Sequence, residues 1–296
     1  MLGWFGGTAT VLAYLRLCRP HQWTKNAFVA AALFFTPEAM TLANAGRVAL
    51  GIAAFSLLAS ATYIVNDLVD RAADRQHPTK RNRPLASGAA RVDVALGLAL
   101  VLLAGGAGIG LWLGPPFLWW LAGYLALTLA YSLLLKLLSI VDVMAIALGF
   151  VIRLEAGAAL ILAAPSVWIL LCTFLLALFL AIAKRRDDVV ALLDATHRAS
   201  LAGYNKAFLD VAMAVILAAL MVFYALYTTD ASVMQRLGSD RLYLSVPIVL
   251  AGCLRYLQAA LVEERSGAPT EFLWRDPFLL GTVVLWTLLM ALLIYG

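Results

Sequence analysis

Charge is scarce in this chain. Aspartate, glutamate, lysine and arginine make up 13% of its 296 residues, about half the share of an ordinary soluble domain. A soluble globular fold is thereby excluded. Cysteine is equally sparse: Cys18, Cys172 and Cys253 are scattered and lack the C-x-x-C spacing of metal or redox sites. They read as small apolar packing residues. The three histidines, His21, His77 and His197, are dispersed too, so a histidine-ligated metal is not expected. No linker, low-complexity tract or soluble domain interrupts the sequence. Residues 1–14 show no basic run ahead of an apolar core, so no cleavable leader is expected.

What is abundant is apolar sequence. Hydrophobic residues reach 64%, in blocks that match the roughly 20 helical residues needed to cross a hydrocarbon core. The expected fold is therefore all-α, a polytopic membrane protein forming one domain over residues 1–296. Nine spans fit, near 20–37, 44–66, 92–114, 117–136, 139–163, 166–184, 207–228, 242–262 and 277–295. With the N-terminus inside, the inner connections hold seventeen lysines and arginines and the outer ones three. That bias places the N-terminus in the cytoplasm and the C-terminus outside, in a plasma or inner membrane. Trp112, Trp119 and Trp120 flank a short outer hairpin, where interfacial aromatic anchors belong.

Span two runs directly into Asn66-Asp67-Leu68-Val69-Asp70-Arg71-Ala72-Ala73-Asp74-Arg75. If the helix continues, Asp67, Asp70 and Asp74 share one face, with Asn66 at its edge. Carboxylates this close repel unless a cation sits among them. Mg²⁺ suits such a set, because it binds through one or two carboxylates plus substrate phosphates. A salt-bridged helix end, with Arg71 and Arg75 as partners, is the plainer alternative. The next segment, His77-Pro78-Thr79-Lys80-Arg81-Asn82-Arg83-Pro84, is a basic loop bounded by prolines. Arginine and lysine there suit phosphate, and topology alone also calls for positive charge. Acid cluster and basic loop together describe a metal-bridged polyphosphate site.

Span five carries Asp142 and Arg153 inside an apolar helix. Charges at bilayer depth usually face a cavity or a partner, so the pair reads either as substrate-binding or as an interhelix brace, with Glu155 nearby. Tyr131 and Lys136, near the inner end of span four, are further candidates. Arg255 in span eight suits snorkelling or packing as well as a site.

The run N-D-x-x-D-x-x-x-D-R, followed by its proline and basic residues, resembles the first signature of the UbiA superfamily of intramembrane prenyltransferases. Arg19-Pro20-His21-Gln22-Trp23-Thr24-Lys25-Asn26 is similar to the opening of its decaprenyl-phosphate phosphoribosyltransferase branch. The likeness extends through Tyr131-Ser132, Lys184-Arg185, Arg255-Tyr256 and Pro269-Thr270-Glu271. It implies nine transmembrane helices around a central cavity. It also implies transfer of a 5-phosphoribosyl group from phosphoribosyl diphosphate to a polyprenyl phosphate, dependent on Mg²⁺, for cell-envelope arabinan precursors. Asp67, Asp70 and Asp74 would hold the metal. Arg19, Gln22, Lys25, Asn26, Asn66, Lys80, Arg81, Arg83, Lys184, Arg185 and Asp188 would bind substrate, beside Tyr131, Lys136, Asp142 and Arg153. No nucleic acid is expected as a partner.

Other members of the superfamily carry a second acid motif after span six. This chain has Lys184-Arg185-Arg186-Asp187-Asp188 there, a departure that disfavours an ordinary prenyl transfer to an aromatic or lipid acceptor. A transporter is the remaining alternative, but it would place its ionisable groups at mid-membrane.

Overall fold

The computed structural model describes residues 4–76, 80–191, 199–264 and 269–296. Among them every regular element is helical. Helix α1 (Trp4–Cys18) leads into a 3-10 helix, Pro20–Ala27, and a short α2 (Phe28–Phe34). Then come α3 (Leu42–Val69), α4 (Arg71–Gln76), α5 (Pro84–Ser87), α6 (Val92–Leu113) and α7 (Pro115–Leu133). The rest of the chain forms α8 (Val141–Leu160), α9 (Val167–Val190), α10 (Lys206–Thr229), α11 (Ala231–Leu237), α12 (Val246–Leu261), α13 (Pro269–Arg275) and α14 (Pro277–Tyr295). Eight helices among the described residues are long and apolar enough to cross a membrane, and they coincide with eight of the nine expected spans.

The expected span at 20–37 takes another form. Arg19 adopts a left-handed backbone, φ 49°, and Pro20 then opens the 3-10 helix. The α-helix that follows has seven residues, about 10 Å of rise, a third of a hydrocarbon core. His77, Pro78, Arg198 and Arg265 lie outside the described residues.

The chain divides into two compact units, each assembled from separate stretches of sequence. The first comprises Met1–Leu33, Thr41–Leu133 and Ile152–Ala163. Helix α3 is its spine, capped by Thr41, whose hydroxyl accepts from the Asn44 amide, and packed along α6 and against α1 and the 3-10 segment. Small residues permit this closeness. A methyl group on Gly106 of α6 would collide with Leu58 and lie 3.1 Å from the Ala54 carbonyl oxygen. One on Gly157, in α8, would collide with the Val29 carbonyl. The α6–α7 hairpin turns on Gly114, φ 105°. Arg47 Nη2 donates to the Leu113 carbonyl at 3.3 Å, satisfying an acceptor that the end of α6 leaves open.

The second unit comprises Phe34–Met40, Leu134–Val151 and Ala164–Gly296. Here α9 pairs with α10, and α12 with α14, around Phe179, Ile182, Met213, Leu217 and Tyr256. Ser166, Asn205 and Asp276 cap α9, α10 and α14, each accepting from the amide three residues on. Such caps satisfy first-turn donors that a helix cannot pair internally. A polar triad lies among aromatic rings: Trp286 Nε1 donates to the Tyr224 hydroxyl at 2.7 Å, and that hydroxyl meets Ser245 Oγ at 2.7 Å.

Candidate active site

In the first unit the acid cluster sits where α3 ends. Asp70 occupies the C-cap, and the i to i−4 ladder continues across it: the Asp70 amide donates to Asn66 and the Asp74 amide to Asp70. The backbone thus stays nearly helical, and Asp67 and Asp74 turn inward together. They are 2% and 3% exposed. Arg83 Nη1 joins them, 3.1 Å from Asp67 Oδ1 and 2.7 Å from Asp74 Oδ2. Arg19 Nη2 adds a second ion pair to Asp67 Oδ1 at 2.5 Å. Asp70 is half-buried and accepts from Asn66 Nδ2 at 3.1 Å.

Two carboxylates therefore converge on one cationic point. Among the described residues no three acid or histidine side chains stand ready as a cage. That donor set fits Mg²⁺, which takes one or two carboxylates and completes its shell with water and substrate phosphate. Asp67 and Asp74 are the pair the fold brings together, with Asp70 one turn from each.

The basic loop reaches these acids because two other arginines fold it back. Arg71 Nε donates to the Leu85 carbonyl at 3.0 Å and Arg75 Nε to the Ala86 carbonyl at 3.1 Å. Both acceptors lie in α5, too short a helix to satisfy its own carbonyls. Arg71 and Arg75 therefore tie α4 to α5 instead of neutralising the aspartates. The 3-10 turn Lys80–Asn82 between them carries Lys80, half-buried, and Arg81, exposed.

The remaining candidates of this unit separate into two kinds. Arg19, Gln22 and Lys25 are partly exposed. Asn26 and Arg153 are buried against each other: Arg153 Nε donates to Asn26 Oδ1 at 2.8 Å, and Nη2 to the Tyr124 hydroxyl at 2.9 Å. The guanidinium also lies 4.6 Å from the Tyr124 ring centroid, a cation–π contact. Tyr131 is half-buried in the last turn of α7.

In the second unit the end of α9 carries the Lys184 to Asp188 run. Lys184 is exposed, whereas Arg185 and Arg186 are each 1% exposed. Arg185 Nε donates to Asp142 Oδ2 at 2.7 Å and Nη1 to Asp188 Oδ2 at 3.0 Å. Asp142 also accepts from Ser200 Oγ, the Tyr204 hydroxyl and the Val143 amide. Burial first, and then the bond to Asp142, pushes the Tyr204 phenol above its ordinary range. The same hydroxyl accepts from the Ile140 amide, holding that β-branched residue at φ 69°, a region such residues rarely enter. Arg186 Nε pairs with Asp210 at 2.5 Å. Lys136 is half-buried in the 3-10 turn Leu135–Leu137.

Sequence reasoning missed Ser200, Tyr204, Tyr124 and Asp210, which have no spacing relation to their partners. Ser56 and Ser60, one turn apart in an apolar span, were the visible polar signal that went unused. Arg255 proves to be an interhelix brace, bonded to Asp276 and Glu263.

An all-helical, multi-pass membrane protein with carboxylates and arginines gathered at the end of a spanning helix is the class that fold and site define. Residues 26–274 match the UbiA prenyltransferase family. The chain belongs to that family and is a transferase of it. It is 32% identical to decaprenyl-phosphate phosphoribosyltransferase of Corynebacterium glutamicum, over 95% of this chain and 86% of that one. An uncharacterised protein of Sinorhizobium fredii is 40% identical over 60% of this chain, which spans only 34% of that longer protein. Among solved structures, a UbiA homologue from Archaeoglobus fulgidus bound to GPP and Mg²⁺ superposes with a TM-score of 0.72. It is 22% identical, covering 94% of this chain and 97% of that one, and supports the fold.

Proposed function

We propose that the protein transfers a 5-phosphoribosyl group from phosphoribosyl diphosphate to a polyprenyl phosphate, releasing pyrophosphate at the cytoplasmic face of the membrane. The observation that carries this reading is the convergence of Asp67 and Asp74 on the guanidinium of Arg83, with Arg19 paired to Asp67 beside it. The relative in Corynebacterium glutamicum, matched over most of both chains, supports the choice of substrates.

The acceptor phosphate is already anionic at neutral pH, so the reaction needs no general base from the protein. The barrier lies in departure of pyrophosphate from an oxocarbenium-like C1. Asp67 and Asp74, with Asp70, would hold Mg²⁺, which when bound neutralises charge developing on the leaving group. Arg83 already stands at both carboxylates and Arg19 at Asp67, where their guanidiniums meet the oxygens of an incoming diphosphate. Lys80, half-buried, and Arg81, exposed, add cations for further phosphate oxygens. The lipid tail stays in the bilayer, since each methylene kept from water is worth about 0.8 kcal/mol. The excess of basic residues in the connections on one side supports a cytoplasmic N-terminus and an outward C-terminus.

The archaeal homologue bound to GPP favours prenyl transfer as the second reading. One experiment separates the two. Purified protein with Mg²⁺ is given either labelled phosphoribosyl diphosphate and polyprenyl phosphate, or labelled prenyl diphosphate and an aromatic acid. Label entering an acid-labile lipid in the first mixture alone is the expected result. Label entering the second product alone overturns the proposal.

A further inference from the structure

The 3-10 helix Pro20–Ala27 has a length match with α3 that an α-helix there would not have. Trp23 Nε1 donates to Ser60 Oγ at 3.1 Å, and Asn26 Nδ2 donates to Ser56 Oγ at 3.0 Å. Trp23 and Asn26 are three residues apart in a 3-10 helix, roughly 6 Å at 2.0 Å per residue. Ser56 and Ser60 are four apart in an α-helix, also roughly 6 Å at 1.5 Å per residue. The two ladders run antiparallel and meet rung for rung. An α-helical 20–27 would shorten the first spacing to about 4.5 Å and rotate one donor away.

Both serines are themselves fixed. Ser56 Oγ donates to the Ile52 carbonyl, and Ser60 Oγ bonds the Cys18 and Ser56 carbonyls. The bond to Cys18 also pins the chain just before the left-handed turn at Arg19. At the other end Arg153 holds Asn26 Oδ1 at 2.8 Å. Side chains three apart eclipse in a 3-10 helix. Fixing Trp23 and Asn26 on one row therefore fixes Gln22 and Lys25 on another, while the Ser60 bond to the Cys18 carbonyl fixes the entry to Arg19, the residue bonded to Asp67.

We propose that Ser56, Ser60, Trp23, Asn26 and Arg153 are positioning residues. They template the 3-10 register that aligns Gln22 and Lys25 as a row of phosphate contacts and anchor the turn that delivers Arg19 to Asp67. This rests on the reading of the protein as a transferase of diphosphate donors. It reassigns Asn26 and Arg153 from touching substrate to holding the residues that do.

The test uses full-length protein in detergent and two variants, the double S56A/S60A and Arg153→Met, which reaches the segment through Asn26 and not through the serines. Hydrogen–deuterium exchange over residues 19–27 is measured without substrate. Kinetics are measured with whichever donor the wild type turns over. Faster exchange in that segment is expected in both variants, by about tenfold or more. Donor KM should rise about tenfold, the loss of one or two charge-assisted contacts, while kcat stays within about twofold and acceptor KM is unchanged. Unchanged exchange in both variants overturns the template. Faster exchange with unchanged donor KM, or with kcat and both KM values degraded alike, overturns the positioning role. Wild-type protein that uses only prenyl diphosphate defeats the proposed substrates while leaving the exchange and donor-KM arms to judge the register.

Discussion

Asp142 and Arg185 form an ion pair out of reach of solvent: Arg185 Nε donates to Asp142 Oδ2 at 2.7 Å, with side chains 0% and 1% exposed. A buried pair of this kind contributes little net stability compared with apolar substitutes of the same shape, yet leaving one charge alone is costly. Asp142→Leu alone should therefore destabilise the protein by about 3–5 kcal/mol, and the double variant with Arg185→Met should recover much of that loss. Denaturation in detergent, monitored by helicity, checks the sign of the coupling. Equal destabilisation by single and double variants would show the pair to be unimportant.

Asp67→Asn and Asp74→Asn should each lower kcat by about a hundredfold or more, the usual scale for losing one electrostatic contact to a developing charge. Both should retain the wild-type circular dichroism and elute as the wild type does in detergent. Chelation with EDTA should abolish turnover, and added Mg²⁺ should restore it. Full activity in either variant removes that carboxylate from the site.

Arg71 and Arg75 act on the basic loop through the Leu85 and Ala86 carbonyls. The double variant R71A/R75A should release α5 and loosen the hold of Arg83 on the aspartates. Donor KM should rise about tenfold, on the scale of one or two hydrogen bonds from a charged group. Limited proteolysis between residues 76 and 91 should quicken alongside. Unaltered donor KM would leave Arg71 and Arg75 as topology charges only.

Asp276 caps α14 and receives Arg255 at 2.6 Å. The Arg255 hydrogen bond, foremost, holds its carboxyl below the usual carboxylate range. A depressed folded pKa contributes stability that is complete above the unfolded value, near 3.9. It is lost as pH falls through the lower folded value. Arg255→Gln should lower the unfolding midpoint at pH 7 and flatten its decline below about pH 4. Identical acid limbs in the two proteins would show that this pair carries no linkage.

Gly157 faces the Val29 carbonyl with no room for a methyl group, and that neighbour is backbone that cannot swing aside. Gly157→Ala should cost about 1–3 kcal/mol, the range for overpacking a filled contact. Gly97→Ala, where nothing lies within 4 Å, is the control and should be near neutral. Thermal unfolding of both variants compares them directly.

Much of the fold was legible because a bilayer imposes a one-dimensional rule. A span must be apolar for about twenty residues whatever it packs against, so eight helices could be placed from hydropathy alone. Residues 20–27 escaped that rule. Their register is decided by Ser56 and Ser60, thirty or more residues away, not by their own propensity.

The candidate site divides in the same way. Asp67, Asp70 and Asp74 were readable as a group because helical spacing places them by sequence distance, and Asp67 and Asp74 do converge on Arg83. Residue type marked Arg153, Asp142 and Arg185 as important but left their roles open. Their partners lie 127, 62 and 43 positions away along the chain. The sequence by itself determined a membrane-embedded bundle with an acid cluster at a helix end, because hydropathy and helical periodicity are local. Tertiary structure alone decided which charges remain exposed and which are buried in pairs, because desolvation and pairing depend on what packs around a side chain.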